Sequence, residues 1–246
     1  MSTVQDRLAA ALQRVIALRD ALDDDPVQGR RWLAVKHWQS ERLRRTYPDL
    51  FARPRYSVAG EFFLREIYGA RDFAQRDREA LRVVPKLARM LPERAVETLL
   101  LAVELDEMSE QLDARVASHL PPEFAGVVTD TMYAAAYRSA GTPAERRAQI
   151  DHVDRIGRSL ERLARLPLLS GMLKLMRGPA EAAGLSHLHH FLAQGFEAFR
   201  QMGPAGEFLD TIRSRETRLM ERLFGDEPAP FCDLLPAGEA PSVAVP

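Results

Sequence analysis

Apolar residues recur every three or four positions along almost the whole chain, and no run alternates β-branched residues at a period of two. The pattern therefore predicts an all-α protein. Its clearest stretch runs from Glu93 to Leu120, where Val96, Leu99, Leu100, Val103, Met108, Leu112, Val116 and Leu120 draw one stripe that Leu101 and Leu105 widen. A stripe that broad belongs to a central helix touched from more than one side. The opposite face carries Glu97, Glu104, Asp106, Glu107, Glu110 and Asp113 and reads as an outward acidic ridge, solvated or matched to basic helices.

Helix ends are marked by local chemistry. Thr142, Pro143 and Glu145 take the N-cap, N1 and N3 positions of a capping box. The helix they open runs through Ile150, Val153, Ile156, Leu160 and Leu163, with Asp151/Arg155, Asp154/Arg158 and Glu161/Arg165 paired at i,i+4 on its polar face. Gly69 is expected to close a helix that begins near Tyr56, and Asp72 with Gln75 to open the next, which Pro85 should kink or divide. Further helices are predicted over residues 3–23, 28–46, 124–139, 179–202 and 205–224, with a short apolar one near Leu168 to Met176. Loops fall at Asp23 to Pro26, Arg53 to Arg55, Leu120 to Glu123, Gly141 and Gly178, none long enough for a domain linker. The expectation is one all-α domain of eight to ten helices over residues 1–224, built around the 93–120 helix. The proline-rich stretch 225–246 is expected to be a disordered tail, with Phe231, Leu234 and Leu235 as residues that could dock it.

Composition narrows the setting. A chain of 246 residues can bury a large core without covalent staples, and the single cysteine, Cys232, excludes an internal disulfide or a Cys-rich metal cluster. A reducing cytoplasm follows as the expected compartment. The first helix is too charged for a secretory leader, and the longest apolar uncharged stretch, Leu166 to Leu173, is far below the roughly 18–20 residues of a membrane span. Only three of the thirty-four basic residues are lysine, a bias that fits a GC-rich bacterial source.

Charge and aromatic residues are unevenly placed. Nine of the eighteen aromatics lie between residues 32 and 73, and the segment Gln28 to Arg94 carries a net charge of +8, followed by −7 over Ala95 to Asp130. Arg42, Arg45 and Arg55, with Arg44 and Arg53, surround Tyr47, Phe51 and Tyr56, a composition that could grip phosphates and stack on bases. A net charge of −1 for the whole chain argues against a general nucleic-acid binder. The helical spacing of Phe62, Phe63 and Ile67 instead favours packing, with the basic helices of residues 28–94 set around, or dimerised onto, the acidic ridge.

Candidate chemistry elsewhere is sparse. His187 and His190 share a helical face while His189 points away, so the pair, walled by Phe191, could hold a metal or a haem iron; ordinary helix-surface imidazoles are the plainer reading. The Glu-x-x-His pairs of carboxylate-bridged di-iron bundles are missing, as are Walker-type, Gly-x-Gly-x-x-Gly and Gly-x-Ser-x-Gly signatures.

The block Phe62-Phe63-Leu-Arg-Glu-Ile-Tyr68-Gly69, followed by Asp72-Phe73 and Arg76-Asp77, resembles a family of uncharacterised all-helical bacterial proteins. The downstream Leu-Pro, the run ending Ser109-Glu110-Gln-Leu112-Asp113, and Gly195-Phe196, Phe199 and Arg215-Glu216 extend the resemblance over most of the chain. It implies a helical fold and brings no activity. The expected function is a non-catalytic interaction or regulatory protein working through protein–protein contacts, with a protein partner or a homo-oligomer; the alternatives are a haem- or small-apolar-ligand-binding helical protein, in one form an enzyme, and more weakly a nucleic-acid binder.

Overall fold

The computed structural model describes residues 3–67, 74–87 and 93–232, which form twelve α-helices, ten of them of seven residues or more, and no strand. In order these are α1 (Val4–Asp23), α2 (Pro26–Thr46), α3 (Pro48–Phe51), α4 (Pro54–Phe62), α5 (Ala74–Leu87), α6 (Glu93–Ser118), α7 (Asp130–Ala140), α8 (Pro143–Ala164), α9 (Pro167–Leu175), α10 (Arg177–Ala182), α11 (Ser186–Met202) and α12 (Gly206–Phe224). A π-helical stretch, Phe63–Ile67, continues α4. The expected roles of Gly69 and Asp72, residues 88–92 and the tail beyond Cys232 lie outside the described residues.

Short polar side chains start α1, α2, α7 and α8 by satisfying their first amides. Thr3 and Asp6 form a reciprocal capping box on α1, Asp25 accepts from the amides of Val27 and Gln28 ahead of α2, and Thr142 with Glu145 forms the box read from the sequence. Two boundaries differ from the pattern. The helix expected from residue 124 begins only at Asp130, because Gly126 turns the backbone left-handed at φ +98° and Thr129 becomes the cap. The single helix expected over 179–202 is two. Gly184 sits at φ +65°, the amide of Leu185 reaches the carbonyl of Ala180 at 2.8 Å and that of Gly184 reaches Glu181 at 3.1 Å, a Schellman ending that only a residue tolerant of this φ allows readily. Pro85 does not divide α5, which runs through it to Leu87.

Helix α6 is the axis, in contact with α1, α2, α7 and α8. Three apolar clusters make up the core, two of which include residues of α6. One joins Trp32, Val35 and Trp38 of α2 to Val116 and Leu120, to Tyr133 and Tyr137 of α7, and to Leu219 and Leu223 of α12. A second packs Tyr47, Leu50 and Tyr56 against Phe199 and Met202 of α11 and Phe208 of α12. The third sets Leu8 and Leu12 of α1 against Val84 of α5 and Val96 and Leu100 of α6. Most rings of the aromatic-rich segment are thus core. Trp38 stacks on Tyr133 with centroids 3.8 Å apart, and Phe231 meets the edge of Trp38 at 5.0 Å, which docks the chain beyond α12 onto the body.

Candidate functional site

Trp32, Lys36 and Gln39 fall at i, i+4 and i+7 on one face of α2, and Glu110 and Asp113 at i and i+3 on α6 meet them. The Glu110 side chain is 1% exposed. It accepts from Lys36 Nζ, from Trp32 Nε1 at 2.9 Å and from Arg19 Nη2 at 2.7 Å. Arg19, buried at the end of α1, also donates to Asp106 at 2.7 Å and to Asp77 of α5, which Arg76 contacts as well. Four helices therefore meet in one charged seam. Burial opposes the charges of Glu110 and Arg19, but their partners outweigh it: Lys36 and Arg19 hold the Glu110 carboxyl below its usual range, and Asp106, Glu110 and Asp77 keep Arg19 protonated.

Asp113 lacks such a cation. It is buried and accepts from Gln39 Nε2 at 2.8 Å, and Gln39 donates also to Tyr133 Oη at 3.0 Å. Burial first, helped by the charge of Glu110, pushes the Asp113 carboxyl up to about 6 in spite of Lys36. The nearby Arg146 guanidinium is buried; its Nη1 donates to Gln149 at 3.2 Å, while Nε and Nη2 have no hydrogen-bond partner among the described residues. It lies 4.1 Å from the centroid of the Tyr137 ring, so the ring's π face takes part of the role of an acceptor.

The acidic ridge is accordingly not an outward face throughout. Its outer members pair with α1, Arg7 with Glu104 at 2.9 Å and Arg14 with Glu107 at 2.7 Å, while Glu110 and Asp113 are interior. Hydropathy alone counts a paired, buried carboxylate as a solvated one. The missed clue was that Lys36 and Gln39 share a stripe with Trp32, a core residue.

The basic segment is distributed over other elements. Arg42 pairs with Glu216 of α12 beneath the surface, and Arg45 with Asp130 at 3.0 Å. Arg55 donates to the carbonyls of Met202, at 2.7 Å, and Pro204, closing the end of α11. Arg31 does the same for Leu120 and Pro121 past α6, and Arg82 for Ala183 and Gly184 past α10. The abundance of arginine has a physical use here, since a guanidinium fork satisfies two free helix-end carbonyls where an ammonium offers one point. Arg42, Arg45 and Arg55 thus reach three separate partners rather than one groove.

The histidines sit at the start of α11. His187, two-thirds exposed, hydrogen-bonds through Nδ1 to buried Glu79 of α5 at 2.8 Å, and Glu79 also accepts from the amide of Leu188 at 2.9 Å, capping α11 from another helix. His189 Nε2 donates to the carbonyl of Leu173 at 2.8 Å, and His190 is exposed. Phe191 lies beside Phe62, with centroids 5.5 Å apart, and under the Arg76 guanidinium at 4.6 Å. Among the described residues no three His, Cys, Asp or Glu side chains converge as a metal would require.

Two surface features remain. A shallow open depression of about 430 Å³ follows the outer side of α12 along Asp210, Arg213, Ser214, Thr217, Arg218 and Glu221. Helix α9 shows an apolar face to solvent, with Leu168 82% and Leu175 79% exposed and Leu166 and Met176 at its two ends also open. At about 100° per residue, Leu168, Gly171, Lys174 and Leu175 share that outward arc. Among the described residues no helix is long and apolar enough to cross a membrane.

Neither a curated protein nor a solved structure matches the chain. A family match covers residues 18–230, and the chain accordingly belongs to the family described as Domain of unknown function (DUF8198).

Proposed function

We propose that the protein is a non-catalytic helical interaction protein whose working surface is the outward face of α9. The observation that carries this reading is the exposure of Leu168 and Leu175 on a nine-residue helix in which Lys174 is the only charge. Singly exposed leucines are ordinary, but a run of them from Leu166 to Met176 on one short element marks a contact surface. The rest of the molecule supports it. Glu110, Arg19, Lys36 and Asp77 are engaged with one another, and Arg42, Arg45, Arg55 and His187 each have an intrachain partner, which suits a rigid body that presents a face rather than a reaction centre.

The test is photocrosslinking in the producing cell, with p-benzoylphenylalanine placed at Leu168 and, as control, at Val127, an exposed apolar residue on the loop before α7. An adduct at position 168, to protein or to lipid, and none at 127 is the expected result. Equal labelling at both positions, or none at either, would overturn the reading.

A further inference from the structure

On the reading that α9 is a docking face, we infer that its occupant is an anionic lipid surface, since exposed cations flank the exposed leucines along the chain. Between Arg162 and Ala180 the chain has four basic residues, Arg162, Arg165, Lys174 and Arg177, and no Asp or Glu. All four are exposed. Arg177 pairs with exposed Glu181 and Arg165 with the partly buried Glu161; the exposed i,i+4 pair holds loosely and exchanges for a denser anionic surface, and both guanidinium groups stay open to solvent. Leu166 and Leu168 follow Arg165, and Leu175 and Met176 lie between Lys174 and Arg177, so cations flank the exposed apolar side chains at both ends of α9. Apolar groups entering the headgroup region while long basic side chains stay at its level is the arrangement of an interfacial helix.

Charge and size decide between occupants. A second copy of the chain would bring the same four cations against these, offset only by Glu161 and Glu181, which Arg165 and Arg177 already engage. A protein partner needs about 800 Å² on each side for a stable interface, some twenty residues or more, and a convex face one short helix wide falls well below that. A lipid surface sets no such minimum, because anionic headgroups gather around each cation and every inserted side chain adds separately. The face is also fixed in place: His189 of α11 holds the carbonyl of Leu173, on the inner side of α9.

The experiment is flotation of the full-length protein with phosphatidylcholine vesicles, with and without one third phosphatidylserine, at low and high salt. Binding is expected only with phosphatidylserine, falling steeply as salt screens the cations. Leu168→Gln with Leu175→Gln, and separately Lys174→Gln with Arg177→Gln, should each lower the partition coefficient roughly 10-fold or more, with unchanged circular dichroism. Since Trp32 and Trp38 are buried, a Leu168→Trp variant gives a clean reporter, and its emission should shift to the blue on anionic vesicles. Absence of binding to phosphatidylserine vesicles, or binding that ignores both double variants, overturns the lipid assignment. A protein adduct at position 168 in the crosslinking experiment, with no vesicle binding, leaves α9 as a docking face and removes only the lipid; no adduct and no vesicle binding removes both.

Discussion

Replacing Glu110 by alanine is expected to lower the free energy of unfolding by about 3 to 5 kcal/mol, the range for removing one partner of a buried ion pair. The carboxylate receives Lys36, Arg19 and the Trp32 indole in a site from which water is excluded. Without it two cations from two helices face each other across α6, and neither can reach solvent without parting α1 or α2 from the axis. Glu104→Ala, about 9 Å away along the helix by the ~1.5 Å rise per residue, is the natural control. Glu104 pairs with exposed Arg7, and its loss should cost at most about 1 kcal/mol. Urea unfolding of both variants measures the contrast, and equal small losses would contradict the buried role.

Asp113→Asn has the opposite sign. The Asp113 carboxyl ionises at about 6 in the fold against an ordinary value of 3.8, so between those pH values the folded chain holds a proton that the unfolded chain has released. Stability then falls as pH rises through that window and the loss is complete above it. Asparagine keeps an oxygen for Gln39 and has no charge to bury. The variant should be more stable than the parent by about 3 kcal/mol at pH 8, with the gain shrinking to nothing below about pH 4. Glu110 works the other way: its carboxyl is held low, so its contribution is present above the usual range and is lost as pH falls through its depressed value. Unfolding free energies from pH 3 to 8 separate the two, and a parent–variant difference flat across that range would contradict the assignment to Asp113.

The helical class, the central place of α6 and the capping box at Thr142 were legible because each is written in local periodicity or in a short polar signature. What was not legible depends on contacts remote in sequence. The +8 and −7 segments pointed to pairing within the chain, and the pairing is there, but Arg7, Arg14 and Arg19 of α1 supply much of it from outside the basic segment. Glu110 and Glu107 look alike in a hydropathy pattern; one is interior because Lys36 and Trp32 converge on it, the other stays at the rim with Arg14. The split at Gly184 was hidden because a helix-ending glycine and a tolerated one read the same until the backbone turns. Leu168 and Leu175 show the converse case, where an apolar run that promises core is left facing outward because α8, α10 and α11 meet only the other side of α9.

The buried charges around Glu110 act as one interlocked set binding α2 to α6. A double-mutant cycle of Lys36→Met and Glu110→Gln, read by urea unfolding at neutral pH, tests it most directly. Coupling of about 2 kcal/mol between the two positions is the result predicted, and additivity within about 0.5 kcal/mol would contradict it.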